Sequence, residues 1–98
     1  MVTSFFPGRI RLRAPVFKEA DLVEKAVSIL RKFPALKNIE NNLLTGSVLI
    51  EYQADKVPME KLLPLRDFFM DLAKEAEGFD GSNRNKIIEM LEKLDKLI

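Results

Sequence analysis

Arg9, Arg11 and Arg13 are the residues best placed to do chemistry, a basic group at every second position of the run Gly8-Arg9-Ile10-Arg11-Leu12-Arg13. Alternate side chains of an extended strand share a face, so this spacing lines up the three guanidinium groups, each able to grip a carboxylate or phosphate bidentately. The same row also reads as an ordinary solvated sheet face, its charges paired across strands with Glu51 and nearby carboxylates. Such exposed pairs contribute only about 0 to 1 kcal/mol each. Sequence-specific RNA recognition would want stacking aromatics among the basic residues, and the expected solvent face offers Leu49 instead, so no nucleic acid partner is expected.

Much other chemistry is excluded by what the 98 residues lack, which is any Cys or His. Disulfides, thiolate nucleophiles and imidazole bases are absent, and with them nearly all ordinary zinc, copper and haem ligation. Met59, Met70 and Met90 lie in helical stretches, where filling gaps in a core outweighs thioether ligation. Oxygen ligation of a hard cation needs gathered carboxylates. Glu75 and Glu77, or Asp67 and Asp71, sit instead on solvated helix faces, and no Asp-rich loop occurs. No metal site and no cofactor are expected.

The elements that must carry these residues follow from periodicity. Pro7 and Pro15 bracket the Arg strand. From Lys18 to Phe33 the apolar residues Leu22, Ala26, Ile29, Leu30 and Phe33 recur at helical spacing, and Pro34 ends the helix. A weaker strand runs from Leu36 to Asn42 and a stronger one from Ser47 to Gln53, the latter pointing Val48, Ile50 and Tyr52 to one face. Asn42-Leu43-Leu44-Thr45-Gly46 supplies the reversal between them. Pro58 opens a second helix, with Leu62, Leu65, Phe69, Leu72 and Ala76 as its apolar stripe, and Pro64 is expected to kink or split it. After the break at Gly78-Phe79-Asp80-Gly81, Ser82 is expected to cap a third helix whose stripe is Ile87, Leu91, Leu94 and Ile98.

That stripe is only about two heptads long, too short for a stable isolated coiled coil, and suits packing on its own domain or on a partner helix in a homodimer. Phe5 and Phe6 are expected either to extend a contact surface or to cap the core. With 47% hydrophobic and 32% charged residues, the chain has the balance of one compact domain. Its formal charge of +1 generates no strong field toward nucleic acid or membrane. Met1 to Pro7 shows no basic region followed by an apolar stretch, and no segment approaches the roughly 20 apolar residues of a span. A soluble, cytoplasmic protein without a membrane span is expected.

Pro7-Gly8-Arg9-Ile10-Arg11-Leu12-Arg13, with Leu43-Leu44-Thr45-Gly46-Ser47-Val48-Leu49-Ile50-Glu51-Tyr52, resembles the heavy-metal-associated domain in its cysteine-poor second branch, over about residues 5 to 72. The resemblance implies an α+β, ferredoxin-like sheet on helices, as in metallochaperones and the N-termini of metal-pumping ATPases. Similar domains that carry soft metal place a Cys-x-x-Cys after the first strand. Here that loop is Ala14-Pro15-Val16-Phe17-Lys18-Glu19, so metal carriage does not transfer. The family's fourth strand is also missing after the second helix, its place in the sequence taken by the extra C-terminal helix. The expected architecture is therefore a ferredoxin-like βαββα sandwich over residues 1–78 plus a terminal helix over 79–98, with the Arg strand left as an open edge.

Acylphosphatases share this topology, and Asn42-Leu43-Leu44-Thr45-Gly46-Ser47-Val48-Leu49-Ile50 fits their Asn-Leu-x-x-Gly-x-Val-x-Ile run. Their chemistry needs a glycine-opened phosphate cradle ending in Arg. Pro15 and Lys18 stand in those places, which leaves a hydrolase as a remote alternative. The favoured expectation is a non-enzymatic interaction module whose partner is a second copy or a transport or metal-handling protein. The alternative is an accessory protein in metal homeostasis, for iron or another cation, that binds a hard cation weakly.

Overall fold

The computed structural model describes residues 1–98. Strand β1 (Val2–Phe6) turns into β2 (Arg9–Arg13), followed by helix α1 (Ala20–Leu30) and the hairpin of β3 (Leu36–Asn42) and β4 (Ser47–Tyr52). The chain then forms α2 (Met59–Leu62), α3 (Arg66–Glu77) and α4 (Arg84–Leu97). All strand pairs are antiparallel and the sheet order is β1-β2-β4-β3. This is a four-stranded mixed α/β domain compatible with a ferredoxin-like fold carrying a C-terminal helix.

One expectation fails, because the Arg strand is not an edge. The N-terminal residues Val2, Thr3, Phe5 and Phe6 are β-branched or aromatic, and they form a strand that folds back through Pro7-Gly8 to cover β2. Gly8 makes the turn possible with φ +86°, and any Cβ there would lie 3.0 Å from the Tyr52 carbonyl oxygen. The Tyr52 N–H in turn donates to the Gly8 carbonyl at 2.9 Å. Phe5 and Phe6 are thus strand residues, 59% and 65% exposed, rather than a cap on the core.

Leucine and isoleucine at alternate strand positions face the helices. Phe5, Ile10, Ile50 and Ile39 stand in register across all four strands, and Leu12 pairs with Val48 in the next row. Pro64 splits the second helical stretch as expected, since α2 stops at Leu62 and α3 starts at Arg66 across a single 3-10 turn.

Helix α4 is built into the domain. Ile87, Leu91 and Leu94 are buried with Leu22 and Ile29 of α1 and Ala76 of α3, and Ile98 packs against the same cluster. Of the two expected places for this stripe, its own domain or a partner helix, it lies on its own domain, and residues 79–98 share one core with what precedes them. Ion pairs fix the direction of the contact. Arg84 at the start of α4 meets Asp21 and Glu19 at the start of α1, the latter at 3.4 Å. Lys25 reaches Glu92 at 3.5 Å and Lys32 reaches Asp95 at 2.5 Å, so the two helices run parallel.

Ser82 does not cap α4. Its hydroxyl and N–H both donate to Asp80 Oδ1, at 2.6 and 2.9 Å, which closes a turn before the helix. Asn83 occupies the cap position, and its amide nitrogen donates to the Glu75 carbonyl of α3 at 2.9 Å. No helix is long and apolar enough to cross a membrane.

Candidate functional site: the outer face of the sheet

Alternation along β2 sends Ile10 and Leu12 inward and leaves Arg9, Arg11 and Arg13 exposed on the outer face. The structure therefore brings the three predicted residues together as a row, opposite Glu51, Leu49 and Ser47 of β4. The expected pairing with Glu51 does not form. The ion pairs of the molecule involve the N-terminus, Lys25, Lys32, Arg84 and Lys86, and none of the three arginines has a carboxylate within 4.0 Å. Glu51 instead accepts a hydrogen bond from the Asn38 amide at 3.4 Å.

Beside Arg11 and Arg13 the face is concave, a groove of about 690 Å³ whose other walls include Thr3, Glu40, Asn41, Asn42 and Thr45. Thr3 and Asn41 carry no signal in the sequence, whereas Asn42 and Thr45 belong to the turn assigned there. The turn is rigidly built. Asn42 Oδ1 accepts from the backbone N–H groups of Leu44 and Thr45 at 3.0 and 3.3 Å. Gly46 closes it with φ +68°, where a Cβ would sit 2.8 Å from the Ala14 carbonyl oxygen, too close for any side chain. The Thr45 and Ser47 hydroxyls lie 2.7 Å apart, and Arg13 Nε donates to the Thr45 carbonyl at 3.1 Å. Arg13 is thereby held at the groove's edge while Arg9 and Arg11 make no side-chain hydrogen bond within the chain.

Phe6, in register with Arg9, adds one exposed aromatic at the rim of this face, which the sequence reading had not placed there. RNA-binding sheets of similar topology present two or three stacking rings. Here the other outer positions of the central strands are Arg, Ser, Leu and Glu. The arrangement offers three arginines with hydroxyl and amide donors around a shallow groove, which suits carboxylates better than bases.

The loop between β2 and α1 lacks the ligands of a soft-metal site. Ala14 and Val16 are buried and apolar, and Pro15–Lys18 forms one 3-10 turn. It presents no sulfur, imidazole or carboxylate before Glu19, and Glu19 is engaged by Arg84. This loop does not fit a soft metal. Nor does any group of three or more His, Cys, Asp or Glu side chains come together elsewhere. Glu75 and Glu77 are paired instead, with Lys86 at 3.2 Å and with the N-terminal ammonium at 2.9 Å. The acylphosphatase-like residue Asn42 has its carbonyl oxygen committed to the turn, and the loop it would serve has no glycine.

Gly8, the Arg row, the Asn42 to Gly46 turn and the β-β-α-β-β order followed by helices are the features on which family membership can be judged. No curated protein and no solved structure matches the chain. The family model described as heavy metal associated domain 2 matches residues 1–98, so the first strand and the terminal helix fall within the match. The chain belongs to the heavy metal associated domain 2 family.

Proposed function

We propose that this protein is a non-catalytic, cytoplasmic interaction module whose outer sheet face docks an acidic segment of a partner protein, a second copy or a transport or metal-handling protein. The observation that carries this reading is the row Arg9, Arg11 and Arg13, three exposed guanidinium groups with no carboxylate within 4.0 Å although Glu51 stands in register opposite Arg9. A cation left free beside an available internal partner costs little in water, and it retains its full attraction for an external anion. Family membership supports a metal-associated setting, while the donor-free β2–α1 loop points to contact with metal-handling proteins rather than to carriage of the ion. The weak hard-cation reading has no gathered ligand set behind it.

The test is fluorescence anisotropy with a labelled Glu- and Asp-rich peptide, a sequence-scrambled neutral peptide and a single-stranded RNA, at low and moderate salt. The acidic peptide is expected to bind with salt-sensitive affinity, and the triple variant Arg9→Gln, Arg11→Gln, Arg13→Gln is expected to lose at least about tenfold. Equal binding by wild type and the triple variant sinks the reading, and tighter binding to RNA replaces it. Sedimentation equilibrium of both proteins decides whether the partner includes a second copy.

A further inference from the structure

Between the sheet and helices α1, α3 and α4 lies a cleft of about 290 Å³ lined by thirteen residues, all hydrophobic, among them Leu12, Leu22, Phe69, Ala73 and Leu91. A second groove of about 340 Å³ runs along α2 and α3, with seven lining residues of which six are hydrophobic and the seventh is Arg66. Phe69 and Ala73 line both. They are four residues apart on α3 and so share one helix face, with Arg66 one turn before them. The two spaces thus share part of a wall on one strip of α3, with Arg66 on the side of the outer groove.

Three features define what fits. The inner cleft has no polar lining group, so it favours apolar atoms over water, as dry apolar cavities do. Its volume is about twice that of an engineered cavity that holds benzene, and a helix of about 10 Å diameter cannot enter. A single flexible chain can. The outer groove is walled by Met59, Leu63 and Met70, which are 50%, 61% and 50% exposed, and methionine adapts readily to a flexible guest. Arg66 has no carboxylate within 4.0 Å, so the one charge at the mouth is unneutralised.

We infer that this protein binds a single-chain anionic amphiphile of the long-chain carboxylate class, with its tail in the outer groove against Phe69 and Ala73, the wall that groove shares with the apolar cleft, and its carboxylate on Arg66. The site lies on the opposite side of the sheet from the Arg9 row, so the inference stands or falls independently of the acidic-partner reading.

The experiment titrates the full chain, stripped of lipid by reverse-phase exchange and refolded, with dodecanoate and with uncharged dodecanol below their aggregation concentrations. Binding is read by displacement of a fluorescent polyene fatty acid and by amide chemical shifts. One saturable site is expected, with shifts centred on Phe69 and Ala73. Arg66→Gln should weaken dodecanoate by about tenfold or more and leave dodecanol unchanged, because only the charged head meets the guanidinium. Ala73→Phe, checked for native circular dichroism, should block both. The absence of saturable displacement by dodecanoate, or an Arg66→Gln variant that binds both probes as wild type does, overturns the proposal. If Ala73→Phe does not fold, the Arg66→Gln comparison and the shift map alone decide the outcome.

Discussion

Four basic residues on the helical side of this domain and three on its sheet side are treated in opposite ways. On the helical side, Lys25, Lys32, Arg84 and Lys86 each meet a carboxylate on a neighbouring helix. On the sheet side, Arg9, Arg11 and Arg13 meet none, even with Glu51 in register on the adjacent strand. Similar charges thus serve different ends. The helical pairs sit around a buried stripe and fix how α4 lies on α1, whereas the sheet charges fix nothing within the chain. An unpaired cation next to an available anion marks a surface that folding does not use.

The comparison is broken most severely by attacking the stripe that the ion pairs surround. Leu91→Ala should destabilise the fold by about 2 to 5 kcal/mol in urea unfolding, because it opens a hole among Leu22, Ile29 and Ile87. Acidic-peptide binding by the molecules that remain folded should not change. Loss of binding in step with stability would show that the two sides are coupled.

A smaller effect separates the two kinds of cation directly. Arg84→Gln removes contacts to both Glu19 and Asp21 and should cost about 1 kcal/mol, less at high salt. The triple replacement of Arg9, Arg11 and Arg13 by Gln should change stability by less than about 0.5 kcal/mol in the same urea experiment. Equal costs would mean that the sheet arginines are structural after all.

The smallest effect concerns a charge held by hydrogen bonds alone. The Asp80 carboxyl is lowered from its ordinary value of 3.8, first by the Ser82 hydroxyl and then by the Ser82 N–H, both of which donate to the ionised form. A depressed carboxyl contributes its stability above pH 3.8 and loses it as pH falls through the folded-state value. Ser82→Ala should raise the Asp80 midpoint toward 3.8 in a carbon-detected NMR titration. An unchanged midpoint would assign the depression to the backbone donor.

The Arg row, the β3–β4 hairpin and the Pro64 break were all legible in the sequence, because each depends on local spacing or on a residue with one conformational habit. The strand Val2–Phe6 was not. Its two adjacent phenylalanines break the alternation that marks a half-buried strand, and the Pro7-Gly8 turn that declares a hairpin was read only as a boundary. The cap falls one residue later, at Asn83, because the Ser82 hydroxyl and N–H both donate to Asp80 and hold Ser82 in the preceding turn. The freedom of Arg9 from Glu51 was beyond reach of the sequence, since strand register brings backbones together without deciding where two long side chains point. The apolar strip along α3 was half visible as a stripe. Its continuity with a cleft under the sheet depends on how α1 and α4 are spaced against it.

The first strand also changes the order in which the molecule can be made. Every strand lies within Val2–Tyr52, and each pairs with a neighbour in that stretch. A ribosome therefore releases the whole sheet before it has released any of α2, α3 or α4. During that interval the inward row Phe5, Ile10, Ile50 and Ile39 has only α1 to shelter it, so the nascent chain presents a sticky surface until its C-terminal half emerges. By closing the sheet early, the hairpin through Gly8 makes the helical layer, rather than strand pairing, the last step in which this chain is exposed to its neighbours.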